Sequence, residues 1–140
     1  MKLKTLHYKI CGLDYVYVRA PVLRADDGEE YIDLPMGTIE REIAIKIIDA
    51  RVPIRGQEVT FIRKTLGLTL KDWAAEFGLS AAGVLKWEKA KEIRLAKVNE
   101  AAVRALAAEK LGIDIPSGWS KLVAKKDTPK RLSLKLGEAA

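Results

Sequence analysis

Apolar positions alternate with period two near the start of this chain and recur at three and four residues after about residue 38. Tyr15-Val16-Tyr17-Val18 and Val22-Leu23 are β-branched, aromatic or aliphatic, and Glu30-Tyr31-Ile32-Asp33-Leu34 alternates polar with apolar. Between them Asp26-Asp27-Gly28 supplies residues that tolerate positive φ. The pattern predicts a β-hairpin over 14–35, with 6–10 as an added third strand. Two strands alone are marginal in water, so the hairpin needs a packing partner. The next segment offers one. With Thr38 as N-cap, Ile39, Ile43, Ile45 (or Ala44), Ile47 and Ile48 fall on one face of a helix reaching about residue 50. Pro53 then predicts a break over 51–55.

From residue 55 the rhythm is helical. A helix over 56–66 carries Val59, Phe61, Ile62 and Leu66, and Gly67 stands where a C-terminal cap belongs. Thr69 opens a second, short helix, with Asp72 three residues on as a short version of the capping box. Trp73, Ala74 and Phe77 form its apolar face and Gly78 ends it. Ser80 caps a third helix that runs through Val84, Leu85 and Trp87 to about residue 89. The polar link Lys91-Glu92-Ile93-Arg94 leads to a fourth helix near 98–111, with Val103, Leu106, Ala107 and Leu111 in line and Gly112 and Pro116 closing it. Pro116-Ser117-Gly118 predicts a turn, 120–131 is polar and lysine-rich, and 132–136 alternates like a short edge strand. The expected fold class is α+β: a small N-terminal hairpin-and-helix unit (1–54), an all-α helix-turn-helix domain (55–113) and a basic C-terminal tail (114–140).

Composition narrows the function. The chain has 140 residues, 49% of them hydrophobic, enough for one ordinary domain or two very small ones. No apolar run approaches the length of a membrane span, and the charged start does not resemble a signal peptide. A single cysteine, Cys11, fits a reducing cytoplasm, and the expected location is cytoplasmic and nucleoid-associated. One histidine, His7, leaves zinc and hydrolase constellations without members, and no P-loop or nucleophile–base pair is visible. The expectation is a non-enzyme with no cofactor and no metal. Charge is the informative quantity: 25 Lys+Arg against 19 Asp+Glu, net +6. Residues 1–54 hold 8 basic and 9 acidic side chains, 55–111 hold 11 and 7, and 112–140 hold 6 and 3, so the whole excess follows the first third. That asymmetry points to a polyanion partner for the later part of the chain.

The two short helices separated by Gly78-Leu79-Ser80 have the length and turn chemistry of a helix-turn-helix, whose second helix enters the major groove. The serine both caps that helix and leaves its first N–H groups as a phosphate seat. The same pattern also fits a packing bundle with glycine turns.

The stretch Phe61-Ile62-Arg63-Lys64-Thr65-Leu66-Gly67-Leu68-Thr69-Leu70-Lys71-Asp72-Trp73-Ala74-Ala75-Glu76-Phe77-Gly78-Leu79-Ser80, followed by Val84-Leu85-Lys86-Trp87-Glu88-Lys89, resembles the phage-repressor (Cro/cI, or XRE) DNA-binding domain. The resemblance implies an ion pair between Arg63 and Glu88 that locks the first helix to the recognition helix, with Trp87 in the core. It places Ser80, Ala81, Ala82 and Lys86 towards bases, with Gly83 between them, and Thr69, Lys71, Lys89, Lys91, Arg94 and Lys97 towards phosphates. Alanine at 81 and 82 departs from the polar residues common there. It can meet a thymine methyl but donates no side-chain hydrogen bond. Lys86 is then the one long polar reader, suited to guanine O6/N7.

The order of parts, and the motif Gly56-Gln57-Glu58-Val59-Thr60-Phe61-Ile62-Arg63-Lys64, resembles the MqsA/YgiT-type regulators, many of them antitoxins. The segment Cys11-Gly12-Leu13-Asp14-Tyr15-Val16-Tyr17-Val18 is similar to their zinc-free relatives. Well-studied members hold zinc through two Cys-x-x-Cys pairs, a site that one cysteine cannot form. The expected function is a dimeric, sequence-specific repressor acting on double-stranded, palindromic operator DNA, in an antitoxin-like autorepressor setting. Residues 1–54, charge-balanced and carrying Tyr8, Tyr15, Tyr17 and Tyr31, fit either a toxin or other protein partner or a dimerisation unit. The fourth helix and 132–136 are the candidate dimer interfaces. For the basic tail, with Lys121, Lys125, Lys126, Lys130 and Arg131, a solvated segment is preferred over a DNA-tracking one. The alternative function is a protein-binding adaptor or toxin-neutralising module that has lost DNA binding, a reading kept open by Ala81-Ala82-Gly83.

Overall fold

The computed structural model describes residues 2–114, 118–124 and 126–137. Part of the turn expected at Pro116-Ser117-Gly118, and Lys125 of the basic segment, lie outside the described residues. The elements run β1 (Lys2–His7), β2 (Val16–Arg24), β3 (Glu30–Ile32), α1 (Met36–Asp49), α2 (Gly56–Thr65), α3 (Leu70–Glu76), α4 (Ala81–Lys89), α5 (Lys97–Leu111), α6 (Trp119–Leu122) and β4 (Leu132–Lys135).

The expected fold class is corrected by the last of these. β4 returns from the C-terminal end and pairs in parallel with β2, from Val16↔Leu132 to Arg19↔Lys135, completing a four-stranded sheet. The part after residue 55 is therefore not all-α, and the sheet is not a local N-terminal hairpin; the fold is mixed. The physical cause is the leucine alternation at 132–136. Leu132 and Leu136 are buried, and an extended segment with an apolar face is more stable on an existing strand than in water. Within the basic segment Val123 and Ala124 are buried, while Lys121, Lys126 and Arg131 remain exposed.

β2 is paired on both sides. β1 covers residues 17–22 of it in antiparallel register, so β4 lies on its opposite edge, and β3 joins at Val22–Arg24 around the Asp26-Asp27-Gly28 turn. The added strand lies earlier than the expected 6–10, and its Lys4 pairs with Glu30 at 2.7 Å. The chain then leaves the strand through an Ile10↔Leu13 bridge, with Cys11 and Gly12 at φ of 51° and 81°. The N-cap of α1 is Pro35, not Thr38: the amides of Thr38 and Ile39 both donate to the Pro35 carbonyl, and proline's fixed φ suits the start of a helix.

Val16, Val18 and Ala20 of the sheet's inner face, Ile39, Ile43 and Ile47 of α1, Val59 and Ile62 of α2, and Val103 and Ala107 of α5 form one hydrophobic cluster. Two buried polar knots fasten its seams. At the first, the Tyr15 hydroxyl donates to Glu58 at 2.8 Å, and Arg55 donates to the same carboxylate through its backbone N–H and its guanidinium. Burial, and then the Glu58 charge, push the Tyr15 phenol far above its ordinary range. At the second, fully buried Glu100 accepts from the Ile54 amide at 3.0 Å, the Ala124 amide at 2.7 Å and the Arg94 guanidinium. Beside it Arg104, also fully buried, donates to the carbonyls of Leu122, Ile48 and Val52. Burial pulls the Arg104 guanidinium down to about 10, against the opposing pull of Glu100. Both knots satisfy every charge they bury, the condition on which buried ions are tolerated.

Candidate nucleic-acid interface

α3 and α4 form two short helices joined by a four-residue turn, 77–80. Thr69 Oγ1 accepts from the Asp72 amide at 3.1 Å and starts α3. Gly78 (φ 69°) then turns the chain in the left-handed region, where a side chain would be strained. Ser80 Oγ accepts from the Gly83 amide at 3.1 Å and starts α4. The helices are held together from behind by aromatic packing: Trp73 meets Phe77 edge-on at 4.9 Å and Phe77 meets Trp87 at 5.8 Å. Trp73 is fully buried, so neither it nor half-buried Trp87 stands as an outward wedge.

Arg63 of α2 reaches across to Glu88 of α4 in a bidentate pair, Nε to Oε2 at 2.8 Å and a terminal nitrogen to Oε1 at 3.1 Å. Its remaining terminal nitrogen donates to the Leu68 carbonyl at 3.0 Å. One guanidinium thus ties α2, the α2–α3 turn and α4 together, using the planar fork that lysine lacks. A further strut runs from 54–57 to 91–95: Gln57 N–H donates to Lys91 O, and Leu95 N–H to Ile54 O. It fixes the link that carries Lys91 and Arg94.

With Val84 and Glu88 turned inward, α4 presents Ala81, Ala82, Lys86 and Lys89 to solvent. Ser80, Thr69 and Lys71 are exposed beside them, as are Lys91 and Lys97. Among the described residues none of these five lysines takes an ion pair with a carboxylate, and the outward row of α4 carries no acid. Glu76 and Glu92 are the exposed acids nearest to it in sequence. Arg94 is placed differently from the lysines. Its guanidinium grips Glu100 and donates to the Ala124 carbonyl, so its charge is largely consumed inside the protein.

One further residue of the row stands outside the base-facing set that the resemblance implies. Leu85 is only half-buried and lies three and four positions from Ala82 and Ala81, which puts it on their face. The i, i+3, i+4 spacing was the available signal, and the leucine's hydrophobicity masked it. The outward surface of α4 is therefore small and apolar at its first turn, with cations at its last.

Elsewhere, His7 stacks on Tyr17 with ring centroids 4.4 Å apart, and Cys11 is a half-buried thiol raised above its ordinary range by burial. Among the described residues no three His, Cys, Asp or Glu side chains gather to hold a metal ion. Among the described residues no helix is long and apolar enough to cross a membrane. Neither a protein-family profile, a curated protein nor a solved structure matches the chain.

Proposed function

We propose that this protein is a sequence-specific regulator of transcription that binds double-stranded operator DNA through α4, as a homodimer on a palindromic site. The observation that carries the reading is the outward row of exposed Ala81, Ala82, Lys86 and Lys89 with half-buried Leu85, held by the Arg63–Glu88 pair on a helix preceded by a tight glycine turn. A helix so presented fits the major groove. Its alanines and leucine suit thymine methyls, and Lys86 suits guanine O6/N7. Thr69, Lys71, Lys89, Lys91 and Lys97 surround it with groups that suit phosphates, so affinity falls steeply as salt rises. An antitoxin-like autorepressor, with a toxin or other protein engaging 1–54, is the setting that the sequence resemblance favours.

A mobility-shift assay with the DNA upstream of its own coding sequence tests the reading. A retarded band that unlabelled DNA of the same sequence removes, and unrelated DNA does not, is expected. Absence of a shift even at low salt favours a protein-binding adaptor instead. Lys86→Ala is expected to cost roughly 1–3 kcal/mol of operator affinity and to relax preference at one position in each half-site. Binding-site selection with the variant checks this; an unchanged consensus sinks the assignment of Lys86.

The homodimer draws support from an open groove of about 450 Å³ where α3 and α4 meet α5, lined by Phe77, Leu79, Trp87, Val98, Ala102 and Leu106. Leu79 and Val98 are 43% and 68% exposed there, apolar side chains that a second copy would cover. Val98→Asp is expected to shift sedimentation towards the monomer and weaken operator binding at least tenfold while leaving the circular dichroism spectrum unchanged. Unaltered sedimentation would remove this face from the dimer contact.

A further inference from the structure

The outer face of the sheet carries chemistry that the α4 surface does not use. The strand register places Thr5 beside Arg19, His7 beside Tyr17, Ser133 beside Tyr17 and Lys135 beside Arg19 on one face. The opposite face, with Val16, Val18 and Ala20, is buried. Thr5, Tyr17, Arg19, Arg131, Ser133 and Lys135 line a shallow groove of about 290 Å³ there, and among the described residues no carboxylate lines it. Glu42 and Asp49 lie along the neighbouring groove, between β4 and α1. Arg131 is held in place: its guanidinium lies 4.1 Å over the Tyr17 ring and its Nε donates to Ser133 Oγ at 3.1 Å.

We propose that this groove binds a phosphate group. An arginine stacked on an aromatic ring is a pre-oriented fork for phosphate oxygens, and little further rotamer entropy is lost when it engages one. Arg19 supplies a second guanidinium, and the hydroxyls of Thr5, Ser133 and Tyr17 supply neutral donors at the rim. Base stacking is not the mode of recognition. Because β1 and β4 flank β2 on opposite edges, His7 covers one face of Tyr17 and Arg131 the other. The groove reads the phosphate of a small phosphorylated compound or of a nucleic-acid backbone, independently of α4.

The test is a two-dimensional amide NMR titration of the full chain with inorganic pyrophosphate, a short single-stranded oligonucleotide, and succinate. Saturable shifts confined to the amides around Thr5, Arg19 and Ser133 are expected with the phosphate-bearing probes, with at least tenfold weaker binding in Arg19→Gln and in Arg131→Gln. Arg19→Gln leaves the Arg131–Tyr17 stack in place and guards against a folding artefact. Lys86→Ala should leave the titration unchanged, which separates this site from the α4 reading. Pyrophosphate binding as tightly as the oligonucleotide identifies a small ligand; an oligonucleotide at least tenfold tighter, and salt-sensitive, identifies a backbone. Shifts that never saturate, that persist in both arginine variants, or that succinate reproduces at equal affinity overturn the proposal.

Discussion

Replacing Glu100 with alanine is expected to remove about 3–5 kcal/mol of folding stability, the range for breaking a buried ion pair by deleting one partner. The carboxylate is fully buried and accepts from two backbone amides, those of Ile54 and Ala124, and from the Arg94 guanidinium. Its deletion strands both amides and leaves the fully buried Arg104 guanidinium without its nearest counter-charge, 3.9 Å away. Glu100→Gln keeps an acceptor but not the charge, and should lose less. Urea denaturation followed by tryptophan fluorescence measures both variants. Hydrogen exchange at Ala124 should accelerate well before global unfolding, because its amide is held by the Glu100 carboxylate. A loss below about 1 kcal/mol, the level of an exposed pair, would mean that the knot holds nothing together. The Lys4–Glu30 pair supplies the contrast: both side chains are partly exposed, so Glu30→Gln should move the unfolding curve far less than Glu100→Ala.

Gly56→Ala is the second large effect, expected to cost about 3 kcal/mol and to displace α4. A Cβ at Gly56 would stand 2.2 Å from the Trp87 carbonyl oxygen and 2.8 Å from that of Ala90. Both are backbone atoms at the end of α4, so no side-chain rotation relieves the clash. The helices must separate, and operator affinity should fall together with stability. Gly83→Ala is the control within α4, since its Cβ would meet only Ser80 Oγ, at 3.3 Å. Alanine's higher helix propensity offsets that contact and should leave thermal stability near that of the wild type. Equal melting temperatures for Gly56→Ala and the wild type would contradict the close α2–α4 packing.

The same architecture decides how a DNA role for the basic segment can be tested. Deleting 120–140 would remove β4 and the Ala124 amide that Glu100 requires. Its effect on salt dependence would then mix unfolding with lost charge. Neutralising Lys121 and Lys126 individually avoids this, because both are exposed.

Local chemistry made the helical half of the chain legible. Thr69 and Ser80 cap their helices and Gly67, Gly78 and Gly112 turn after theirs, because caps and left-handed turns depend on a few adjacent residues. The β2–β3 hairpin was legible for the same reason, and so was the apolar face of α1. Periodicity did not reach the long-range pairings. That Leu132–Lys135 would lie parallel to β2, that Tyr15 would find Glu58 43 residues away, and that Glu100 would bind Ile54, Arg94 and Ala124 at once were settled only by the folded chain. In sequence Arg94 is one more cation near α4; in the fold its charge is spent on Glu100, whereas Lys86 keeps its exposure. Caps, turns and periodicity are fixed by neighbours in the chain. Which charges remain for a partner is fixed by which ones burial forces to pair.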